Sequence, residues 1–365
     1  MRLTSKKFRK KSNNSRKITN KIPNKWLNGL LTLFLFLLLF AVFDIETLKK
    51  IEVWNVSAVA NTVENVVPAG LISFFEKTVV KIVIYVAFGA LVVLRILKHV
   101  MRRKAIVINH SSFSNAQSTY DEDVVAGCWV SQVDINLVSQ VGQGKITDAI
   151  HVQDDVIKKI LDRCDEYTEL IYYGITHIPF IFRAGFQIGN EGKVRLLHKY
   201  RNEQACFKEL SSEPDNYKIQ LKDTEVVNRG NGANEMLVVI ETSFSVKDED
   251  LSVFQDKAIG YDMHFELGND SMYGFDAVTS YAVINRLRSQ IMGSIRKAVK
   301  QHSIQRIHLV LATSSDFAFF IAQDFSRYHD PEVIAYQYER NDPRRYTWGI
   351  SNIEHYKKAV YHTKQ

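Results

Sequence analysis

The feature that most constrains the fold is a pattern of strand, turn and helix that occurs twice. Residues 169–189 read ELIYYGITHIPFIFRAGFQIG, and residues 306–325 read RIHLVLATSSDFAFFIAQDF. In both segments a short apolar run passes through a polar turn, at Thr176 or Thr313, into a second apolar stretch with helical spacing. This repeated order predicts that the chain contains a duplicated αβ unit.

Further pairs of segments flank these two in the same order. They are an apolar run with a polar turn (105–114 and 236–245), a helical pattern (156–167 and 283–302) and a strand pattern that ends in arginine (194–201 and 333–340). Short strands that alternate with helices are typical of α/β domains with largely parallel sheets. We therefore predict this fold class for the region behind residue 104.

Two parts of this region have no clear periodicity. Residues 115–155 and 203–234 are polar, and within them residues 128–137 have a strand pattern. The repeat predicts a sensor-like domain at 105–365 with units at about residues 105–225 and 235–365, and it does not place the two irregular segments.

The distribution of charge excludes one class of ligand. The whole chain has a net charge of +7, but residues 1–25 contain ten Lys or Arg and no acid, and residues 105–365 carry about −7. A protein that covers a DNA or RNA polymer needs a broad basic face. No nucleic-acid polymer is therefore expected as a partner, and an anionic ligand has to be small and held by a few groups.

Two apolar segments predict a membrane anchor. Residues 26–43 are uncharged and long enough to cross a bilayer. Residues 78–97 form a second candidate span, in which Lys81 and Arg95 have to reach the two interfaces. Because basic residues flank both spans while the loop at 44–77 is mildly acidic, we expect both termini in the cytoplasm.

The segments around the spans have their own patterns. The basic tail at residues 1–25 is too long for a cleaved signal peptide. In the loop, valines and alanines recur at three and four residues between Val53 and Val67, which predicts an amphipathic helix on the outer membrane face. A role of this helix in lining a pore is the alternative.

Four loops are candidates for a ligand site, because ligands of parallel α/β sheets bind beyond the carboxyl ends of the strands. The loops are rich in hydroxyl groups, which suit phosphate oxygens, and two carry a Phe that could stack on a base. The alternative is that the hydroxyls are helix caps and the Phe rings belong to the core. The candidates are Ser112, Phe113, Thr176, His177, Ser243, Phe244, Thr313 and Ser314.

Four more candidates follow the repeated helices. Lys199 and Arg201 occur at the end of the first strand pattern, and Tyr338 and Arg340 at the end of the second. The cations could supply local charge for a phosphate, or they could form surface salt bridges. No P-loop, GxSxG or HExxH motif occurs, and the three cysteines lack metal-site spacing, so we predict no catalytic residue, metal or cofactor.

The segments YYGITHIPFIFRAG, VRLLHKYR, RIHLVLATSSDFAFFIAQ and VIAYQYER resemble the SAVED sensor domain over about residues 105–355. The second block has ATSS where the family often has a small residue and proline. The resemblance implies two fused CARF-like Rossmannoid units. It also implies a role in bacterial CBASS anti-phage systems, in which such domains are receptors for cyclic oligonucleotides, and the two preceding helices resemble transmembrane SAVED effectors.

This resemblance implies a mechanism. A CD-NTase-like nucleotidyltransferase makes a cyclic oligonucleotide, with a trinucleotide favoured and a dinucleotide second, and the domain binds it between its two units. Binding then drives self-association into homo-oligomers or filaments. The spans disrupt membrane lipid in the bacterial inner membrane, which leads to cell death or growth arrest without catalysis by this chain. The alternatives are a membrane-anchored ring nuclease and a passive membrane scaffold for a protein partner.

Overall fold

The computed structural model describes residues 85–86, 88–92, 103–114, 118–189, 193–201, 206–215, 217–222, 224–255, 258–269, 272–353 and 358–361. The chain divides into two units, Met1–Arg102 and Arg103–Gln365.

The predicted anchor belongs to the first of these units. The tail at 1–25, the span at 26–43 and the loop at 44–77 lie outside the described residues. Of the second predicted span, 78–97, residues 85–86 and 88–92 are described, and they are helical. No helix in the described part of the chain has the length and apolar character needed to cross a bilayer.

Sheet 1 opens the second unit and, within the described residues, has six strands in the order β2-β6-β5-β4-β1-β3. Strands β3, β1, β4 and β5 are parallel, whereas β6 is antiparallel to β5. The strands are β1 (Arg103–Ser111), β2 (Thr119–Tyr120), β3 (Cys128–Asn136), β4 (Thr168–Ile175), β5 (Lys193–Lys199) and β6 (Cys206–Glu209).

Sheet 2 follows in the chain and, counted over the described residues, has seven strands in the order β13-β12-β11-β10-β8-β9-β7. Strands β9, β8, β10 and β11 are parallel, and antiparallel strands flank them. The strands are β7 (Val226–Asn228), β8 (Glu235–Glu241), β9 (Ile259–Phe265), β10 (Arg306–Ala312), β11 (Glu332–Gln337), β12 (Trp348–Ser351) and β13 (Ala359–Tyr361).

The parallel parts of the two sheets have the same topology. The order β3-β1-β4-β5 in sheet 1 corresponds to β9-β8-β10-β11 in sheet 2, with strands taken from the chain in the same sequence. The helices also correspond, because α2 and α4 precede the central strands β4 and β10, and α3 and α5 follow them. The predicted α/β class and the predicted repeat of strand, turn and helix are therefore confirmed. The helices are α1 (Val138–Gly142), α2 (Ile146–Leu161), α3 (Ile178–Ile188), α4 (Tyr281–His302) and α5 (Ser315–Asp324), with 3₁₀ helices at Glu122–Val125 and Asp248–Phe254.

Helix α2 begins well before the helical pattern that the sequence shows at residues 156–167. Its buried face contains two polar residues that interrupt the apolar spacing. The Gln153 amide donates to the backbone oxygen of Phe180 at 3.1 Å, and Asp154 accepts from Arg183 at 2.7 Å. Because these partners satisfy buried polar groups, the helix tolerates them on its inner face, and the apolar pattern alone could not locate its start.

Helices α3 and α5 pack against each other in the centre of the second unit. Nearly every residue of both helices is buried, including polar ones such as Arg183 and Asp316, so neither helix has a broad solvent-exposed face. A Cβ built on Gly185 of α3 would lie 2.6 Å from the backbone oxygen of Phe319, so the close approach of the helices requires glycine there. The main apolar core contains side chains from both sheets and both helices. The two halves of the repeat therefore share one core.

Candidate functional site

The two central helices begin beside the strands of the opposite sheet. At the start of α3, the Ile178 backbone N–H donates to Oε1 of Gln337, at the end of β11, over 3.1 Å. At the start of α5, Asp316 Oδ1 lies 3.0 Å from Nδ1 of His198, near the end of β5. His198 and Gln337 occupy equivalent positions of the repeat. These crossed contacts bring the loops beyond β4, β5, β10 and β11 to one side of the domain.

Ser112, Phe113, Thr176 and His177 form the first corner of this site. Ser112 Oγ lies 2.6 Å from His177 Nδ1 and accepts a hydrogen bond from the His177 backbone N–H at 2.9 Å. The Phe113 ring stacks on the His177 ring at 4.1 Å between centroids. Burial lowers the pKa of His177 to about 4, so its imidazole is neutral at pH 7 and can offer both a donor and an acceptor.

The second corner contains Ser243, Phe244, Thr313, Ser314 and the first turn of α5. The Ser243 backbone N–H donates to the oxygen of Ala312 at 2.9 Å, which holds the loop after β8 against the end of β10. Among the predicted residues, Ser112 and Ser243 thus occupy equivalent positions of the repeat, and so do Thr176 and Thr313.

Several buried polar atoms in both corners have no hydrogen-bond partner among the described residues. They are Thr176 Oγ1 in the first corner and Ser243 Oγ, Ser314 Oγ and Asp316 Oδ2 in the second. A buried polar group without a partner costs about 1–3 kcal/mol. A cluster of such groups at the ends of parallel strands is typical of a site that a polar ligand completes.

Each corner carries an exposed aromatic ring, Phe113 in the first and Phe244 in the second. Phe244 contacts Tyr338 edge to face at 6.2 Å between centroids, and Tyr338 directly follows Gln337, which binds the start of α3. Phe113 and Phe244 are 42% and 38% exposed. The alternative in which these two rings belong to the core is therefore wrong, and both are available to stack on a base.

The cationic candidates differ from their predicted placement. Strands β5 and β11 end at Lys199 and Gln337, so Arg201 and Arg340 lie beyond the strands rather than on them. In the described part of the chain the Arg201 guanidinium stacks on Phe275, 3.2 Å from the ring centroid, and Lys199 is exposed. The Arg340 side chain is exposed as well, and no contact of it with either corner is present among the described residues. The prediction that Arg340 serves the site is not supported by a contact.

His198 is the main polar group of the site that the sequence did not indicate. It is 2% exposed, and its Nε2 lies 3.1 Å from Asp276 Oδ1, opposite the contact of Nδ1 with Asp316. Burial lowers the pKa of His198, but hydrogen bonds to Asp316 and Asp276 outweigh this effect and raise the pKa above its ordinary value. In the part of the chain that the structure describes, no cluster of His, Cys, Asp and Glu has metal-site geometry.

The region that contains the repeat matches a protein family. The family described as "SMODS-associated and fused to various effectors sensor domain", or SAVED, matches residues 152–351, which is more than half of the chain. The chain belongs to the SAVED family. A comparison with curated proteins finds no match.

Solved structures similar to this SAVED chain are receptors that contain a SAVED/CARF domain. Acinetobacter baumannii Cap4 with the cyclic trinucleotide 3'3'3'-cAAA has 12% identity and a TM-score of 0.49, over 82% of this chain and 66% of that one. The same receptor with 2'3'3'-cAAA has 14% identity and a TM-score of 0.48, over 81% and 60%. Moraxella osloensis Cap4 has 11% identity and a TM-score of 0.40, over 70% and 52%. The chain thus spans less than two thirds of the length of these receptors.

The SAVED repeat also shows which signal could have identified the missed residues. His198 in VRLLHKYR and Gln337 in VIAYQYER take the same position, as the last inward-facing residue before the strand ends. Aligning the two blocks would have selected both as cross-half contacts. Asp276 had no such signal, because its loop before α4 has no counterpart among the repeated segments.

Proposed function

We propose that this SAVED domain is the receptor for a cyclic oligonucleotide in anti-phage signalling. The observation that carries the proposal is the pair of corners in which buried hydroxyl groups, unpartnered among the described residues, occur together with exposed aromatic rings. Hydroxyl groups and helix N-termini bind phosphate oxygens, and aromatic rings stack on bases. A small ring of alternating phosphates and bases combines these two chemistries, and two equivalent corners suit a repetitive ligand.

The ligand that we favour is a cyclic trinucleotide, with a cyclic dinucleotide second, as the resemblance to SAVED receptors implies. Its source is a CD-NTase-like nucleotidyltransferase that acts in the same bacterial cell. The net charge of about −7 over residues 105–365 disfavours a DNA or RNA polymer as the ligand, because such a polymer needs a broad basic surface on the protein.

The response to the ligand is self-association beside a membrane. Residues 26–43 and 78–97 anchor the chain in the bacterial inner membrane with both termini and the sensor in the cytoplasm. Ligand-driven oligomers or filaments then crowd these spans and disrupt the lipid. A ligand that binds the assembled state a hundredfold more tightly favours assembly by about 2.7 kcal/mol per subunit, which is enough to shift a weak interface.

The binding step is tested by calorimetric titration of the full chain in detergent against a panel of cyclic di-, tri- and tetranucleotides. We expect micromolar or tighter binding of at least one ring. If every ring fails to bind, the receptor proposal is wrong and a passive scaffold becomes the better account. We also expect the recovered ligand to be intact, whereas a linear product would identify a ring nuclease.

The membrane step needs a separate test. Replacing Leu37 and Leu38 with Arg places two charges in the middle of the first span, at about 2.5–3.5 kcal/mol each on insertion scales. We expect this variant to bind the ligand normally but to lose membrane fractionation and toxicity in cells that make the ligand. Toxicity at the level of the unmodified chain would contradict the role assigned to the spans.

A further inference from the structure

Only one of the two carboxylate oxygens of Asp316 has a hydrogen-bond partner among the described residues. Its Oδ1 lies 3.0 Å from His198 Nδ1, whereas its Oδ2 has no hydrogen-bond partner among the described residues. The side chain is 3% exposed, so bulk water does not solvate the second oxygen. A buried carboxylate oxygen in this state is an acceptor without a donor.

Neither His198 nor Asp276 supplies that donor in the structure. His198 Nε2 already faces Asp276 Oδ1 at 3.1 Å, and Asp276 Oδ2 accepts the Arg201 backbone N–H at 3.2 Å. Both nitrogens of the imidazole and both oxygens of Asp276 are thus occupied. Even when His198 is protonated, the two carboxylates of Asp316 and Asp276 share this one positive charge. The three side chains together therefore keep a net negative charge, and Asp316 Oδ2 is the oxygen without a donor among the described residues.

This open oxygen belongs to the second corner of the site. Asp316 is in the first turn of α5, two residues after Ser314, and the loop of Ser243 is hydrogen-bonded to the end of the preceding strand. The equivalent position of the first corner is Pro179, which has no side-chain acceptor. The two corners therefore offer different chemistry to an otherwise repetitive ligand.

The charge decides which part of a nucleotide fits beside Asp316. Two like charges in close contact repel each other, so a phosphate is disfavoured there. A neutral N–H donor is favoured. Carboxylates accept hydrogen bonds from base amino groups, and a well-placed pair discriminates between bases by roughly 10- to 100-fold.

We propose that Asp316 determines base specificity by accepting the exocyclic amino group of a nucleobase, as in adenine, guanine or cytosine. This inference rests on the proposed function and assigns the second corner to a base edge. Bases that present a carbonyl oxygen at the same position, such as hypoxanthine in place of adenine, are rejected because two acceptors face each other. His198 is a positioning residue that fixes the orientation of the Asp316 carboxylate.

The test compares two probes on the full chain in detergent. They are cyclic triadenylate and cyclic triinosinate, in which a carbonyl replaces each 6-amino group and an N1–H replaces each N1 acceptor. The position that is compared at Asp316 Oδ2 is the 6-substituent. We expect the unmodified chain to bind the adenine ring 10- to 100-fold more tightly, in line with the discrimination of a single pair. In Asp316→Asn the amide can also donate, so this ratio should fall to about one or reverse.

A matched control separates specificity from structure. Asp276→Asn alters the other carboxylate on His198 but leaves Asp316 Oδ2 in place, so the adenine preference should persist. Asp316→Glu keeps the charge and serves as the second variant if the asparagine variant does not fold; it should retain the sign of the preference. Equal weakening of both probes in Asp316→Asn would reduce the residue to a structural role and overturn the inference.

The remaining outcomes are also decisive. If the unmodified chain binds both probes equally, or binds a uracil ring in preference, the base assignment is wrong while the receptor function stands. If no cyclic oligonucleotide binds at all, the proposed function fails and this inference with it.

Discussion

His198 and Gln337 occupy equivalent positions of the repeat, and each binds the start of the helix that belongs to the opposite half. His198 does so through the carboxylate of Asp316 at 3.0 Å, and Gln337 through a neutral bond from the Ile178 backbone N–H at 3.1 Å. Because these contacts cross between the halves at the candidate site, the relative position of the halves depends on these two side chains. The two halves of the repeat thus share the position of this contact but differ in the chemical groups that form it.

The unequal chemistry predicts unequal stability effects. His198→Ala leaves the Asp316 carboxylate buried without its partner, and breaking a buried charged pair typically costs about 3–5 kcal/mol. Gln337→Ala removes two neutral hydrogen bonds, one from the Ile178 backbone N–H and one to the Tyr338 backbone oxygen, each worth about 0.5–1.5 kcal/mol. Thermal unfolding of the detergent-solubilised chain should therefore show a larger loss of Tm for His198→Ala. Similar losses in the two variants would mean that His198 is not charged in the folded protein.

The contact between His198 and Asp316 also predicts that the stability of the folded chain depends on pH. Because the pKa of His198 is raised in the folded state, its stabilising contribution is complete below the unfolded value of about 6.5 and is lost as the pH rises through the folded pKa. The difference in Tm between the unmodified chain and His198→Gln should thus shrink from pH 6 to pH 9. Asp316 and Asp276 are the carboxylates that face the imidazole. A constant difference would contradict the assigned charge.

The sequence indicated strands β1, β3, β4, β5, β8, β10 and β11, the turns and the central helices, because their apolar runs are short and clear. It did not indicate β9 or the short strands at the sheet edges. It also selected the hydroxyl loops, since the carboxyl ends of parallel strands have to converge. It could not locate the start of α2, where Gln153 and Asp154 are buried among apolar residues. Nor could it pair Asp316 with His198, because that contact joins residues 118 positions apart and depends on how α5 crosses to sheet 1.

We expect a substitution of Thr176 to have opposite effects on the stability of the fold and on the affinity for the ligand. Its Oγ1 is buried without a partner among the described residues, so Thr176→Val removes an unsatisfied hydroxyl while keeping the shape of the side chain. We expect a neutral or slightly stabilising effect on unfolding, up to about 1 kcal/mol, together with weaker binding of the cyclic oligonucleotide by about 1 kcal/mol. Tm and calorimetric titration on the same preparation check both signs.

Thr168 provides a matched control for this substitution. It is a buried threonine at the other end of β4, and its Oγ1 donates to Asp165 at 2.8 Å. Thr168→Val should therefore lower Tm and leave ligand binding unchanged. If Thr176→Val instead lowers Tm and leaves binding unchanged, the hydroxyl is structural and does not belong to the site.

The exposed rings Phe113 and Phe244 predict a binding effect with a limited stability effect. Each is exposed by more than a third, so truncation to Ala should lower Tm by less than the loss of a fully buried ring does. Stacking on a base contributes about 1–3 kcal/mol, which corresponds to a loss of affinity of roughly 5- to 150-fold for each variant. Tyr328→Ala is the matched control, since this ring is 90% exposed but follows the far end of α5. Calorimetric titration should separate the Phe variants from this control, and equal affinity in all three would exclude the two rings from the site.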